Sequence, residues 1–252
     1  MNRRRWLIGL LATAAASTLA ACDRAVYAVS DQTRRMAEGL TRRAQRLLIP
    51  RDALAPTYER SDISPDFRPN GSVDPAASDY MALKANSFAD YRLIIDGLVE
   101  RPLSLDLASL RSRPAQTQIT KHDCVEGWTS IAEWTGVRLE TLLDEAGLKP
   151  EARYIVFHCF DALDQREDGD RYYESIDLID ARHPQTILAW AMNGETLPVP
   201  HGAPVRLRVE RQLGYKHAKY IRRIEAVESF AHIGGGKGGY WEDRGYEWFA
   251  GI

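Results

Sequence analysis

Residues 121–128 read Lys-His-Asp-Cys-Val-Glu-Gly-Trp, so a thiol, an imidazole and two carboxylates stand almost side by side. A cysteine in that company has three uses: nucleophile, metal ligand or half of a disulfide. A nucleophile needs a base, and His122, two positions before Cys124, would share its face on a strand. A zinc site wants more ligands at close spacing, and the sequence holds no CxxC or HExxH pattern. The chain has three cysteines, and a bridge between Cys124 and Cys159 is the disulfide reading. The Gly-rich stretch 234–239 lacks the Gly-Lys-Ser/Thr of a phosphate loop, so it reads as a flexible turn. Behind it, Tyr240, Trp241, Tyr246, Trp248 and Phe249 are expected to fold back as a packing tail, with an aromatic lid over the pocket as the alternative.

The elements around Cys124 are mostly short strands. Tyr91 to Val99 and Leu103 to Leu105 read as strands, and Asp106 caps a short helix to Arg111. Gln116 to Cys124 is a strand that delivers the cysteine to a turn. Leu139 to Ala146 reads as a helix stopped by Gly147. Arg153 to Phe160, Tyr172 to Ser175, the apolar run Ile187 to Met192 and Tyr220 to Phe230 read as further strands. Asn193-Gly194 marks a tight hairpin turn. Val205, Leu207 and Val209 alternate with Arg206, Arg208 and Glu210, which predicts one buried face and one polar face. Few and short helices among many strands predict an α+β fold, a mixed, mainly β single domain, rather than a parallel βαβ array.

The N-terminus reads differently. Arg3, Arg4 and Arg5 precede an apolar run from Trp6 to Leu19, the pattern of an export signal. Asn2 to Leu7 follows the twin-arginine consensus, and Leu19-Ala20-Ala21-Cys22 follows a bacterial lipobox that leaves a lipidated cysteine. Residues 1–22 are therefore expected to be a signal. Residues 23–60 are expected to be a tether with a basic amphipathic helix, in which Met36, Leu40, Ala44 and Leu47 share a side with arginines around them. Residues 61–252 are expected to form the catalytic domain. Asp23 after Cys22 predicts retention on the periplasmic side of the inner membrane. A net charge of −2 argues against a general nucleic-acid binder.

The box His-Asp-Cys-Val-Glu-Gly-Trp (122–128) is followed by Trp134-Thr135-Gly136. Then come Tyr154-Ile155-Val156-Phe157, His201-Gly202-Ala203-Pro204-Val205-Arg206-Leu207 and Gly214-Tyr215-Lys216 with Lys219-Tyr220-Ile221. In this order the chain resembles the sulfite oxidase family over roughly residues 60–230. The resemblance implies a Mo-molybdopterin cofactor, with Cys124 as catalytic residue and metal ligand. It implies cofactor-binding roles for Arg68, Asn70, Cys159, His201, Arg206, His217, Ala218 and Lys219. Cys159 stands where periplasmic relatives carry Thr, and His201 where they carry Asn. Such enzymes move an oxygen atom and two electrons. Here the resemblance implies reduction of a small-molecule or protein-bound S-oxide such as methionine sulfoxide. The electrons would come from a haem-containing membrane donor, and the enzyme would be a monomer. Sulfite dehydrogenation toward a cytochrome and a non-catalytic, disulfide-braced lipoprotein are the alternatives.

Overall fold

The computed structural model describes residues 33, 36–164 and 170–252. The proposed signal lies outside the described residues. Two compact units divide the chain at Ile49/Pro50. In the first, residues 36–48 are helical (α1), and Met36, Leu40 and Leu47 are exposed on it.

The second unit, Pro50–Ile252, holds two five-stranded sheets. The first has the order β2-β1-β10-β5-β6. Its strands are β1 (Leu93–Gly97), β2 (Leu103–Leu105), β5 (Tyr154–Ala162), β6 (Arg171–Asp177) and β10 (Ile221–Val227). All neighbours are antiparallel except β1 and β10, which run parallel. The second sheet has the order β3-β4-β7-β8, with β9 also on β7. Its strands are β3 (Ala115–Asp123), β4 (Thr129–Arg138), β7 (Ile187–Met192), β8 (Glu195–Thr196) and β9 (Arg206–Arg208). Helices α2 (Ser78–Ala85), α3 (Leu107–Arg111), α4 (Leu139–Ala146) and α5 (Leu178–Ala181) fill the connections.

Local chemistry explains most of these elements. The Asp106 carboxylate accepts from the Ser109 N–H and starts α3, as its position predicts. In α4, Leu139, Leu142, Leu143 and Ala146 recur at helical spacing, and all are buried. Gly147 ends it at φ 72°, a conformation glycine adopts without strain. Asn193 and Gly194, both at positive φ, close the two-residue hairpin between β7 and β8.

The structure adds three elements that periodicity left out, α2, α5 and the ten-residue β4. The β4 sequence carries Glu133 and Gly136, and its register shifts between Thr135 and Gly136, so it never alternates cleanly. Gly136 is required there. A Cβ at this position would lie 2.1 Å from the Leu188 carbonyl oxygen of β7. Gly136→Ala is therefore expected to lower stability by about 3 kcal/mol, read as a shift in urea midpoint.

The segment 50–60, read from sequence as tether, lies on the second unit. The Tyr58 N–H donates to the Ile119 carbonyl at 3.0 Å, and Gln185 exchanges two hydrogen bonds with the Ala55 backbone. A second difference concerns β9. Arg206, Arg208 and Glu210 alternate with Leu207 and Val209 as predicted, but their polar face is not turned to water. Arg206 and Arg208 are fully buried. The polar face packs on Trp134 of β4, whose ring lies 4.8 Å from the Arg206 guanidinium and 4.5 Å from that of Arg208.

Candidate active site

Cys124 sits one residue beyond the end of β3, where the pairing with β4 opens into a turn. Its N–H donates to the Trp128 carbonyl at 2.9 Å, and its own carbonyl accepts from Gly127 at 3.0 Å. Backbone bonds on both sides thus fix the thiol's position. It faces a cavity of about 140 Å³ that Asn70, Ser72, Asp161, His217 and Lys219 also line. Glu126, Tyr172, Tyr215, Trp241 and Tyr246 also line it.

The structure removes two of the three uses for this thiol. Cys124 and Cys159 are both free, so the disulfide-braced alternative is overturned. Nucleophilic activation also fails. His122 is fully buried, and burial with the nearby cations holds its pKa well below the usual range. Its Nδ1 accepts from Arg208 Nη1 at 2.9 Å, and its Nε2 abuts Gly214, where a Cβ would come within 2.6 Å. Burial pushes the Cys124 thiol up, so unaided it stays protonated. A soft metal ion reverses that, because a coordinated thiol is deprotonated outright. Among the described residues no three His, Cys, Asp or Glu side chains converge on a metal position. A metal held by Cys124 must therefore bring further ligands of its own.

The other predicted residues fall into three groups. Asn70, His217 and Lys219 share the cavity with Cys124. Arg206 and His201 lie behind Lys219. A Cβ on Gly202 would touch both Lys219 and Arg206, which is why glycine at φ 110° stands there. Arg206 Nη1 donates to the His201 carbonyl at 2.9 Å. Ala218 is buried between them, but its N–H already donates to the Lys216 carbonyl, and its carbonyl accepts from Leu207. The last group is peripheral. Arg68 is exposed, 5.9 Å over the Trp128 ring, and its charge favours the Cys124 thiolate. Cys159 does not line the cavity with Cys124. It is fully buried and borders a separate hollow with Arg171 and Arg222.

Behind Lys219, the lysine of this cavity, the buried charges are unevenly paired. Arg208 is neutralised by a two-pronged pair with Glu210, both side chains fully buried. Arg206 has no such acid. Its Nε and Nη2 find no hydrogen-bond partner, and burial with the adjacent Arg208 lowers its pKa. Lys219 donates to the Ser72 and Pro200 carbonyls. Burial and Arg206 push its pKa down to about 7, with Asp161 opposing. Further buried polar atoms here also lack partners: Asn70 Oδ1, His201 Nδ1 and Asp161 Oδ1. Two desolvated cations side by side and several orphaned polar atoms are costly without a partner, so the Lys219–Arg206 side suits an anionic group while Asn70 and Asp161 suit hydrogen-bond donors. A pterin bearing a phosphate meets that description: the phosphate suits Arg206 and Lys219, and the pterin's ring atoms suit the orphaned donors and acceptors.

One pH effect follows. In the cofactor-free protein Lys219 releases its proton near pH 7, whereas the unfolded chain holds it to the ordinary lysine value. The unfolded state thus binds more protons above about pH 7, and this group lets the folded state gain stability as pH rises, by about 1 kcal/mol per unit. Lys219→Met removes the group. The variant's advantage over wild type in urea unfolding should shrink between about pH 7 and pH 8.5.

Sequence reasoning missed Ser72, Asp161, Tyr172 and Tyr215 as cavity residues. Ser72, Asp161 and Tyr215 each lie two positions from a predicted residue, Asn70, Cys159 and His217, which is the signal that was available. Tyr172 comes from β6, which only the fold brings to the cavity.

Comparison with known proteins agrees with this geometry. Residues 80–232 match the family model described as the oxidoreductase molybdopterin binding domain. An Azospira oryzae protein with the provisional name protein-methionine-sulfoxide reductase subunit YedZ1 is 38% identical over 79% of this chain and 68% of its own. The protein-methionine-sulfoxide reductase catalytic subunits MsrP of Gluconobacter oxydans and Campylobacter jejuni are 37% and 31% identical. The matches cover 63% and 54% of this chain, and 52% and 48%, about half, of theirs. The crystal structure of the sulfane dehydrogenase SoxCD from Paracoccus pantotrophus aligns with TM-score 0.49 and 30% identity, over 56% of this chain and 39% of that one. A mixed, sheet-dominated domain, a free thiol sharing a cavity with a buried lysine and a family match across most of that domain lead to one conclusion: the chain belongs to the oxidoreductase molybdopterin-binding family.

Proposed function

We propose that this chain is the catalytic part of a molybdenum oxidoreductase that reduces S-oxides, methionine sulfoxide foremost, with Cys124 as the protein's ligand to the metal. One observation carries the reading: a free, buried thiol shares its cavity with a buried lysine, Lys219, and directly behind that lysine lies a buried arginine, Arg206, with two unpartnered nitrogens. The names of the relatives, methionine-sulfoxide reductase subunits, support the substrate class. Bound, the cofactor supplies two-electron oxygen-atom transfer. The chain's own residues bind and orient. Cys124 gives up its proton to become a thiolate. Arg206 and Lys219 hold the phosphate end, with His201, Asn70 and His217 taking the remaining polar contacts. Buried Ala218 sets the spacing between His217 and Lys219. Arg68 at the rim adds positive field toward Cys124. Overall, an S-oxide, two electrons and two protons give a thioether and water.

The same proposal covers the setting. The twin-arginine and lipobox patterns of residues 2–22 support export by the twin-arginine route and lipid anchoring on the periplasmic side of the inner membrane. The arginines and exposed apolar residues of α1 support its lying near anionic lipid. A haem-containing membrane protein would deliver the electrons, and the chain would act as a monomer.

The test uses protein made in a host able to supply the cofactor. About one molybdenum per chain is expected, with turnover of methionine sulfoxide when a dithionite-reduced dye is the donor. Loaded protein that ignores every S-oxide but reduces a cytochrome on adding sulfite would reverse the direction of flow and sink the reading.

A further inference from the structure

The family match ends at residue 232, yet the cavity that holds Cys124 is walled in part by residues 241 and 246. Building on the S-oxide reading, we propose that the C-terminal tail is this enzyme's specificity wall, in which Trp241 and Tyr246 receive the apolar arm of the S-oxide and select methionine-like side chains.

Four observations carry the inference. First, the Trp241 and Tyr246 rings lie 5.2 Å apart, and Tyr246 meets Tyr215 edge-on at 5.1 Å. All three line the cavity, so one side of it is aromatic. Second, both tail rings are only half-buried, so their remaining surface is available to a ligand. Third, the tail cannot drift. The Leu213 N–H donates to the Ala250 carbonyl and the Ala250 N–H to Gln212 Oε1, each at 2.9 Å, while the Tyr215 hydroxyl donates to the Glu247 carbonyl at 2.7 Å. Fourth, Lys216 Nζ bridges Glu174 and Glu242, all three side chains at most 1% exposed. Glu242 belongs to the tail, and Lys216 directly precedes His217 and Lys219. The buried triad therefore fixes the aromatic wall relative to the residues assigned to the cofactor.

The chemistry selects the ligand class. Ring faces and edges attract methyl and methylene groups next to sulfur, and the soft thioether of the product makes the same contact. An oxyanion such as sulfite has no apolar arm to lay against them. A methionine sulfoxide side chain has an arm long enough to lie along the wall. Dimethyl sulfoxide has none.

Trp241→Ala and Tyr246→Ala, loaded with molybdenum to the wild-type level, are the test, with Trp241→Phe as the conservative control. KM for a peptide containing methionine sulfoxide should rise roughly tenfold in each alanine variant, the usual worth of an apolar pocket contact. For dimethyl sulfoxide KM should change less than about twofold. Neither substrate should show a matching fall in kcat, and Trp241→Phe should restore most of the loss. An active wild type whose alanine variants match it on both substrates overturns the wall alone. A loaded wild type that turns over neither substrate overturns the S-oxide reading and the wall with it.

Discussion

Cys124→Ala protein is expected to fold, to keep its pterin contacts and to lose at least about a thousandfold in activity, a barrier increase of roughly 4 kcal/mol. Folding survives because the turn is held by main-chain atoms. The Cys124 N–H to Trp128 and the Gly127 N–H to Cys124 persist whatever the side chain. Removing one small sulfur from the cavity edge should cost about 1 kcal/mol. Activity does not survive, because no other soft ligand is in place. Cys159 borders a different hollow, and its thiol, pushed well above its ordinary value by burial, is inert. Serine is no substitute, since a hard, weakly acidic hydroxyl is a poor match for a metal that favours thiolate. Molybdenum content, absorption of the metal centre and steady-state rates in both variants check the expectation. Activity within tenfold of wild type would remove Cys124 from the mechanism.

Arg206→Met should act in opposite directions on the two forms of the protein. In the cofactor-free form Arg206 is a buried cation beside Arg208, with two orphaned nitrogens and no carboxylate. Methionine keeps the packing on Trp134 and removes the uncompensated charge, so this form should gain about 1 to 3 kcal/mol in urea unfolding. The loaded form should lose instead. Without a guanidinium for the phosphate, pterin recovered per chain should fall roughly tenfold to a hundredfold, the range for losing a supporting contact. A variant that merely damaged the fold would lower both quantities. A variant that raised both would show that Arg206 does not face the cofactor.

Much of the frame was legible in local patterns, for stated reasons. The α3 cap needs only Asp106 and the N–H three residues on. The α4 boundary needs one apolar stripe and Gly147. The β7–β8 turn needs only two residues that tolerate positive φ, Asn193 and Gly194. Each depends on neighbours within a few positions, so each is written in the sequence. The same holds for Cys124, which sits at the strand-to-turn junction its flanking residues predict, and for the order of boxes that resembles the sulfite oxidase family.

Burial partners were not written there. Arg206 and Arg208 alternate identically along β9, yet Glu210 neutralises one and leaves the other bare, and their outer face meets Trp134 rather than water. Cys159, chosen by resemblance, turned to another hollow, while Asp161, two positions on in the same strand, and Tyr172 of β6 line the cavity. The aromatic tail reads alone as packing material. The buried bridge from Lys216 to Glu242, with the tail's hydrogen bonds to Gln212, Leu213 and Tyr215, brings Trp241 and Tyr246 to the site. The sequence by itself determined where the thiol stands and what kind of element carries it, because propensity, caps and turns act over a few residues. The tertiary structure decided which charges are left unpaired, which thiol meets the cavity and what walls it, because those depend on side chains brought together from distant positions and cut off from water.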